Sequence, residues 1–139
     1  MTVTVDINVL VDVFGNRQPY YAESVPVVDL IAAGELAGVC PAHGLTTLYY
    51  VVRKIVSKPD AEAAMDRVLD HFGIGNLDVA GWREARSLPF RDFEDAVVAV
   101  VARKTASAFI ITRDIAGIAG SPVTAITSAD FLGLFPAKL

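Results

Sequence analysis

The strongest hydrophobic signal in the chain is an unbroken apolar run from Ala96 to Ala102. Three acids, Asp92, Glu94 and Asp95, precede it, and the basic pair Arg103–Lys104 follows. Acids in front and bases behind suit a helix macrodipole. A helix that is apolar on every face belongs in the interior, so this one is predicted to be buried. Phe109 to Thr112, β-branched and aromatic, then reads as a short strand that delivers Asp114 just past its C-terminal end. Val3–Thr4–Val5 leads into Asp6 in the same way.

The remaining pattern alternates strands and helices. Asp6 to Leu10 leaves the first strand, and Gly15–Asn16 and Pro19 mark a loop. A helix is predicted from Ser24 to Ala33, with Pro26 in its first turn and Gly34 as its stop. Leu36 to Cys40 reads as a second strand. Leu45, Leu48, Tyr49, Val52 and Val56 form one stripe of a helix over 45–56, with Thr47 and Lys54 on the opposite face. Ser57–Lys58–Pro59–Asp60 starts another helix, striped by Ala61, Ala64, Met65, Val68 and Phe72 and ended by Gly73 and Gly75. A strand at Leu77–Val79 and a short helix over Ala80–Leu88 are expected next. After Asp114 come a flexible loop over 115–122, a last strand over Val123–Ile126, and a final helix capped by Ser128–Ala129–Asp130. This alternation favours an α/β fold with a parallel sheet. With 139 residues and no repeat or linker, residues 1–139 read as a single domain.

Composition narrows the class. At 53% hydrophobic residues the chain is not a disordered one. No apolar run approaches the ~18 residues of a membrane span, and the start of the chain lacks the basic and apolar regions of a signal peptide. The single cysteine, Cys40, excludes an intramolecular disulfide, fits a reducing cytoplasm, and is expected to be a buried thiol. The terminal Ala137–Lys138–Leu139 resembles a peroxisomal address too loosely to carry weight. A net charge of -4 argues against a simple basic clamp on nucleic acid. Acids gathered in one pocket can nonetheless lower that total while Arg and Lys line its rim.

In an open parallel sheet, ligands sit beyond the carboxyl ends of the strands. Two strands ending on Asp6 and Asp114, plus an acidic helix start at Asp92 and Asp95, therefore point to a carboxylate cluster. Each acid has a simpler reading as well. Asp6, Asn8 and Asp114 can bond loop backbone, and Asp92 can cap the helix whose dipole favours Glu94 and Asp95. Asp12 is expected to be solvated. Clustered carboxylates repel and raise one another's pKa, so a cluster calls for a cation, and hard oxygen ligands point to Mg²⁺ or Mn²⁺. His43 and His71 lack the spacing of a zinc site, and no phosphate-binding glycine loop is present. Tyr50, off the apolar stripe, is a base-stacking candidate for which partial burial is the expectation. Arg91 and Arg113 flank the acids and are candidates to reach phosphates.

The segments VDINVLVDV, DFEDAVVAVVA and IITRD resemble the PIN-domain family, which includes the toxin nucleases of VapBC-type toxin–antitoxin pairs. LTTLYYVVRK and SPVTAITSADFL extend the resemblance over essentially the whole chain. It implies a three-layer α/β/α fold with a mostly parallel central sheet and metal-dependent cleavage of RNA phosphodiesters in an acidic pocket. By position it makes Asp6, Asp95 and Asp114 the catalytic and metal-holding acids. Asn8, Thr47, Asp92, Thr112 and Arg113 are expected to support them or touch substrate. An antitoxin and a second copy of the chain are the expected protein partners, and the cytoplasm the expected location.

The chain departs from the family at two places. Thr47 stands where a glutamate is common, and Gly117–Ile118 where a further acid often follows the last acidic strand. Three acids can hold one cation, but less tightly, which keeps a weak or inactive PIN-like module binding RNA or a partner protein as the alternative. A receiver domain also places aspartates at strand ends. It wants an acidic pair after its first strand and a lysine after a late one, where this chain has a lone Asp6 and Arg113.

Overall fold

In the computed structural model, which describes residues 1–135, five parallel strands run in the order β3-β2-β1-β4-β5. They are β1 (Thr2–Val5), β2 (Ala37–Pro41), β3 (Gly73–Gly75), β4 (Phe109–Ile111) and β5 (Ala125–Ile126). Seven helices connect and cover them: α1 (Ile7–Phe14), α2 (Tyr20–Ala32), α3 (Gly44–Ile55), α4 (Lys58–His71), α5 (Val79–Ser87), α6 (Phe93–Lys104) and α7 (Ser128–Leu134). The tail Ala137–Lys138–Leu139 lies outside the described residues. No described helix is long and apolar enough to cross a membrane.

Side chains alternate along a strand, so a sheet buried on both faces takes mostly apolar residues, and the buried Thr4 hydroxyl is satisfied by Ser107 Oγ at 2.8 Å. Val3, Val5, Cys40 and Ile111 face the layer of α1, α2, α3, α4 and α7. Val39 and Ile110 point the other way, to α5 and α6. The result is the expected three-layer α/β/α architecture. Every residue of the apolar run Ala96–Ala102 is buried. The sheet lies beneath it, Ala85 of α5 beside it, and Ile118, Leu88 and Phe90 close its outer side. Cys40 is a free, fully buried thiol, and burial pushes its pKa up to about 12.

Several elements differ from the sequence reading. The stretch after Asp6 is helical as far as Phe14, because the Asp6 carboxylate accepts the Ile7 N–H at 2.8 Å and caps α1. Helix α2 begins at Tyr20, which places Pro26 well inside it rather than in its first turn. Proline leaves the carbonyl four residues back without its donor. That residue, Ala22, is exposed, so water can serve instead. Gly34 does end the helix, at φ +76°, with the Glu35 N–H folded back onto the Leu30 carbonyl.

Gly73 and Gly75, expected to act as stops, form the edge strand β3. A Cβ on Gly75 would lie 2.4 Å from Val101 Cγ1, so glycine there admits α6 against the sheet. The strand expected at Leu77–Val79 is absent. Asp78 caps α5 by accepting the Gly81 N–H at 2.9 Å. Strand β5 is reduced to Ala125–Ile126, and the cap of α7 is Thr127, which accepts the Asp130 N–H at 3.1 Å. Ser128 is buried and shares a 2.9 Å hydrogen bond with Ser24 of α2. The loop after Asp114 is a series of turns pinned by Ile118, which is 1% exposed.

Strand β1 lies at the centre, with the chain crossing to β2 on one side and to β4 on the other. A crevice opens at such a reversal, beyond the carboxyl ends of the two strands. Register places Val5 beside Ile111, and the Asp6 N–H donates to the Ile111 carbonyl at 2.9 Å. Whatever follows Val5 and Ile111 must therefore meet in that crevice.

Candidate active site

Asp6 and Thr112 are the first residues past these strand ends, and they touch. Thr112 Oγ1 donates to Asp6 Oδ2 at 2.9 Å and accepts the Asp114 N–H at 3.1 Å. Asn8 Nδ2 donates to the same Asp6 oxygen at 3.3 Å, while the Ile7 N–H holds the other oxygen. The capping role of Asp6 and its place in the cleft thus hold together. Its carboxylate is 6% exposed, and burial raises its pKa against the opposing pull of the Thr112 and Ile7 hydrogen bonds.

The N-terminus of α6 supplies the opposite wall. Asp92 is its cap, accepting the Glu94 N–H at 2.9 Å. Asp95, in the first turn, has its pKa raised to about 6, first by burial and then by the charges of Asp6, Asp92, Asp114 and Glu94. Asp114 is exposed and accepts the Gly117 N–H at 3.0 Å. A Cβ at Gly117 would sit 2.2 Å from Asp114 Oδ2 and 2.9 Å from Asp95 Oδ2, so glycine leaves the space into which these two carboxylates converge.

Together these groups line a cleft of about 330 Å³ with Asp6, Asn8, Thr47, Asp92, Glu94, Asp95 and Asp114 in its walls and Arg17 and Arg113 on its lining. Thr47, on the exposed side of α3, therefore reaches the cleft, where the family's glutamate was expected. Arg91 does not. It lines a separate cavity with Phe90 and Phe93. Tyr50 is 63% exposed rather than partly buried, and it is not part of the cleft.

Three residues escaped the sequence reading. Glu94 was assigned only to the helix dipole, yet it lines the cleft and acts electrostatically on Asp6 and Asp95. Arg17, which no motif in the sequence singles out, lines the cleft as well. Asp12, expected in solvent, is fully buried and accepts Arg113 Nε at 2.6 Å and Nη2 at 3.2 Å. Its spacing was the available signal: Asn8 and Asp12, four apart, share one face of α1, and an acid inside so apolar a helix needs a partner.

The donors are all oxygens, the chemistry of a hard divalent cation. Asn8 Oδ1 is buried without a hydrogen-bond partner, an acceptor left over at the edge of the same site. Among the described residues no three Asp, Glu, His or Cys side chains are gathered closely enough to enclose a cation as they stand. The carboxylates ring the cleft, and the raised pKa of Asp95 records their repulsion. The donor set fits a cation, and the exposed Asp114 is the carboxylate with freedom to turn toward one.

Known proteins show the same arrangement of chain. Ribonuclease VapC1 of Aquifex aeolicus (strain VF5) is 28% identical over 116 residues, covering 81% of this chain and 81% of that protein. The structure of VapBC2 from Rickettsia felis, bound to a DNA fragment from their promoter, superposes with a TM-score of 0.68 at 18% identity, over 91% of this chain and 98% of that one. FitAcB from Neisseria gonorrhoeae gives a TM-score of 0.63 at 15% identity, over 91% and 97%. VapC20 from Mycobacterium tuberculosis, a sarcin-ricin loop cleaving toxin, gives 0.62 at 14% identity, over 78% and 86%. The family model described as a PIN domain matches residues 2–116, and the chain belongs to the PIN domain family.

Proposed function

We propose that the chain is a divalent-metal-dependent endoribonuclease whose catalytic and metal-holding acids are Asp6, Asp95 and Asp114. The observation that carries this reading is that those three carboxylates line one cleft, at the reversal point of the sheet of a PIN-family chain. Glu94 is a fourth carboxylate close enough to contribute. Mg²⁺ or Mn²⁺ held there supplies Lewis-acid stabilisation of charge on the phosphate and brings the pKa of a water toward neutrality.

The protein's own groups prepare that site. Thr112 and Asn8 fix the Asp6 carboxylate in one orientation. Asp95, its pKa raised to about 6, is only half ionised near that pH. Arg17 and Arg113 offer guanidinium donors to phosphate oxygens, which they bind well.

The toxin half of a toxin–antitoxin pair is the biological role this supports. VapBC2 and FitAcB are its structural relatives, and a third, VapC20, is named as a sarcin-ricin loop cleaving toxin. An antitoxin protein, a second copy of the chain and RNA are then its partners, in the cytoplasm where the free thiol of Cys40 is at home. One observation favours a weaker enzyme: Thr47 puts an uncharged side chain in the cleft wall where a carboxylate would strengthen metal binding.

Cleavage of single-stranded RNA tests the reading. It should vanish in EDTA, return with Mn²⁺ or Mg²⁺, and fall at least ~100-fold in Asp6→Asn, the loss of one transition-state electrostatic partner worth roughly 2.7 kcal/mol. Cleavage that survives in Asp6→Asn overturns it.

A further inference from the structure

The cleft contains a conflict of charge. Five carboxylates line it and two arginines share the lining. A long, free guanidinium beside such acids pairs with them readily, which would fill the site and withdraw that cation from phosphate. Yet among the described residues neither Arg17 nor Arg113 makes an ion pair with a cleft acid. Both turn instead to Asp12, a buried residue of α1 that lies outside the cleft lining.

Asp12 accepts two hydrogen bonds from one edge of Arg113, at Nε and Nη2. The Tyr20 ring lies against the same guanidinium, 4.1 Å from its central carbon. Arg17 Nε stands 3.7 Å from Asp12 Oδ1, the oxygen that also accepts Arg113 Nη2. The side chains of Arg113 and Arg17 remain 33% and 44% exposed, while that of Asp12 is wholly buried. One buried carboxylate thus holds two part-exposed guanidiniums and leaves a surplus positive charge at the cleft. A fully buried ion pair is weak evidence for stability, since apolar residues of similar volume often serve as well. In a helix of Val, Leu and Ile an apolar side chain would be the simpler choice at position 12. A role in placing the arginines accounts for an acid there.

We propose that Asp12 is a positioning residue that holds Arg113 and Arg17 off the cleft acids, as a two-guanidinium clamp on the phosphates flanking the RNA bond to be cut. The inference rests on the ribonuclease reading and adds to it how the acidic site tolerates a polyanion. Arginine matters here because its planar fork bonds Asp12 along one edge and leaves Nη1 for phosphate, which lysine cannot do.

Binding of fluorescein-labelled single-stranded RNA of mixed sequence, measured by anisotropy over a range of salt in an Asp95→Asn background that does not cleave, tests the clamp. Arg113→Ala should weaken binding and flatten the salt dependence by about 0.7 in log–log slope for each phosphate that is no longer neutralised. Asp12→Asn should reproduce both effects, and it should have no further effect once Arg17→Ala and Arg113→Ala are present. Arg113→Lys, which keeps the charge and disturbs folding least, should also bind more weakly. Unchanged affinity and slope in Asp12→Asn overturn the clamp, as does an equal loss with both arginines removed, or full affinity in Arg113→Lys. The expected coupling together with no Mn²⁺-dependent cleavage by the unmutated protein supports Asp12 as the positioner of an RNA-phosphate clamp and overturns the nuclease reading. Cleavage without the coupling overturns the clamp alone.

Discussion

Gly117→Ala adds one methyl group where Asp114 and Asp95 converge. The new Cβ would lie 2.2 Å from Asp114 Oδ2 and 2.8 Å from its Cγ, against an ordinary contact of 3.4 Å or more, so the Asp114 carboxylate must move by roughly 1 Å. The backbone of Gly117 is not in the left-handed region, so alanine adds no conformational strain there. Asp114 is exposed, and its side chain can swing into solvent without disturbing the core. The fold should therefore tolerate the change, with stability kept within about 1 kcal/mol or slightly raised by the loss of unfolded-state freedom. The site should not. A misplacement of ~1 Å at a reacting centre costs on the order of 100-fold, so kcat/KM for single-stranded RNA with Mn²⁺ should fall on that scale while thermal unfolding of the metal-free protein stays put. The increase in Tm produced by Mn²⁺ should shrink in parallel, because a ligand stabilises only the state that binds it. A folded Gly117→Ala protein with undiminished cleavage and an undiminished Mn²⁺ effect would refute the convergence of Asp95 and Asp114 on a shared ligand.

Other consequences are as specific. Thr47→Glu should tighten Mn²⁺ binding in calorimetry and speed cleavage at low metal, while lowering the Tm of the metal-free protein by adding a like charge to the cleft. Equal or weaker Mn²⁺ affinity would separate Thr47 from the metal site. Asp95 has a folded-state pKa of about 6 against an ordinary 3.8, so the folded protein binds more protons between those values and its ionisation costs stability as pH rises through them. Metal-free Asp95→Asn should lack that part of the decline, gaining on the unmutated protein between about pH 4 and pH 6 and holding the gain above; parallel urea-melt profiles would contradict this. Thr112→Val removes the hydroxyl that Asp6 Oδ2 and the Asp114 N–H share. It should destabilise the fold by about 1–3 kcal/mol and cut kcat/KM, and a variant as active and stable as the unmutated protein would show that this bond does not orient Asp6.

Most of the site was legible because two strong patterns carry it. Short apolar strands ending on acids locate Asp6 and Asp114 at carboxyl ends, where a parallel sheet binds ligands. The all-apolar run after Asp95 could only be a buried helix, so its acidic start had to sit at the edge of the core. What was missed depends on residues distant in sequence. Gly73-Ile74-Gly75 has the composition of a helix stop, and its role as a strand comes from Val101 packing against Gly75. Pro26 reads locally as a first-turn residue, and only the exposure of Ala22 lets it sit deeper in α2. Glu94 was correctly placed in the first turn of α6, but periodicity does not say that this turn faces Asp6. Asp12 reads as solvated because acids are seldom fully buried unless paired, and its partner, Arg113, arrives from the far end of the chain.

Diffraction at the manganese edge from crystals soaked in Mn²⁺ tests the central claim most directly. An anomalous peak is expected in the cleft at ligand distance from carboxylate oxygens of Asp6, Asp95 and Asp114, with Asp114 turned inward from its place beside Gly117. A peak elsewhere, or a cleft without manganese at millimolar Mn²⁺, would contradict it.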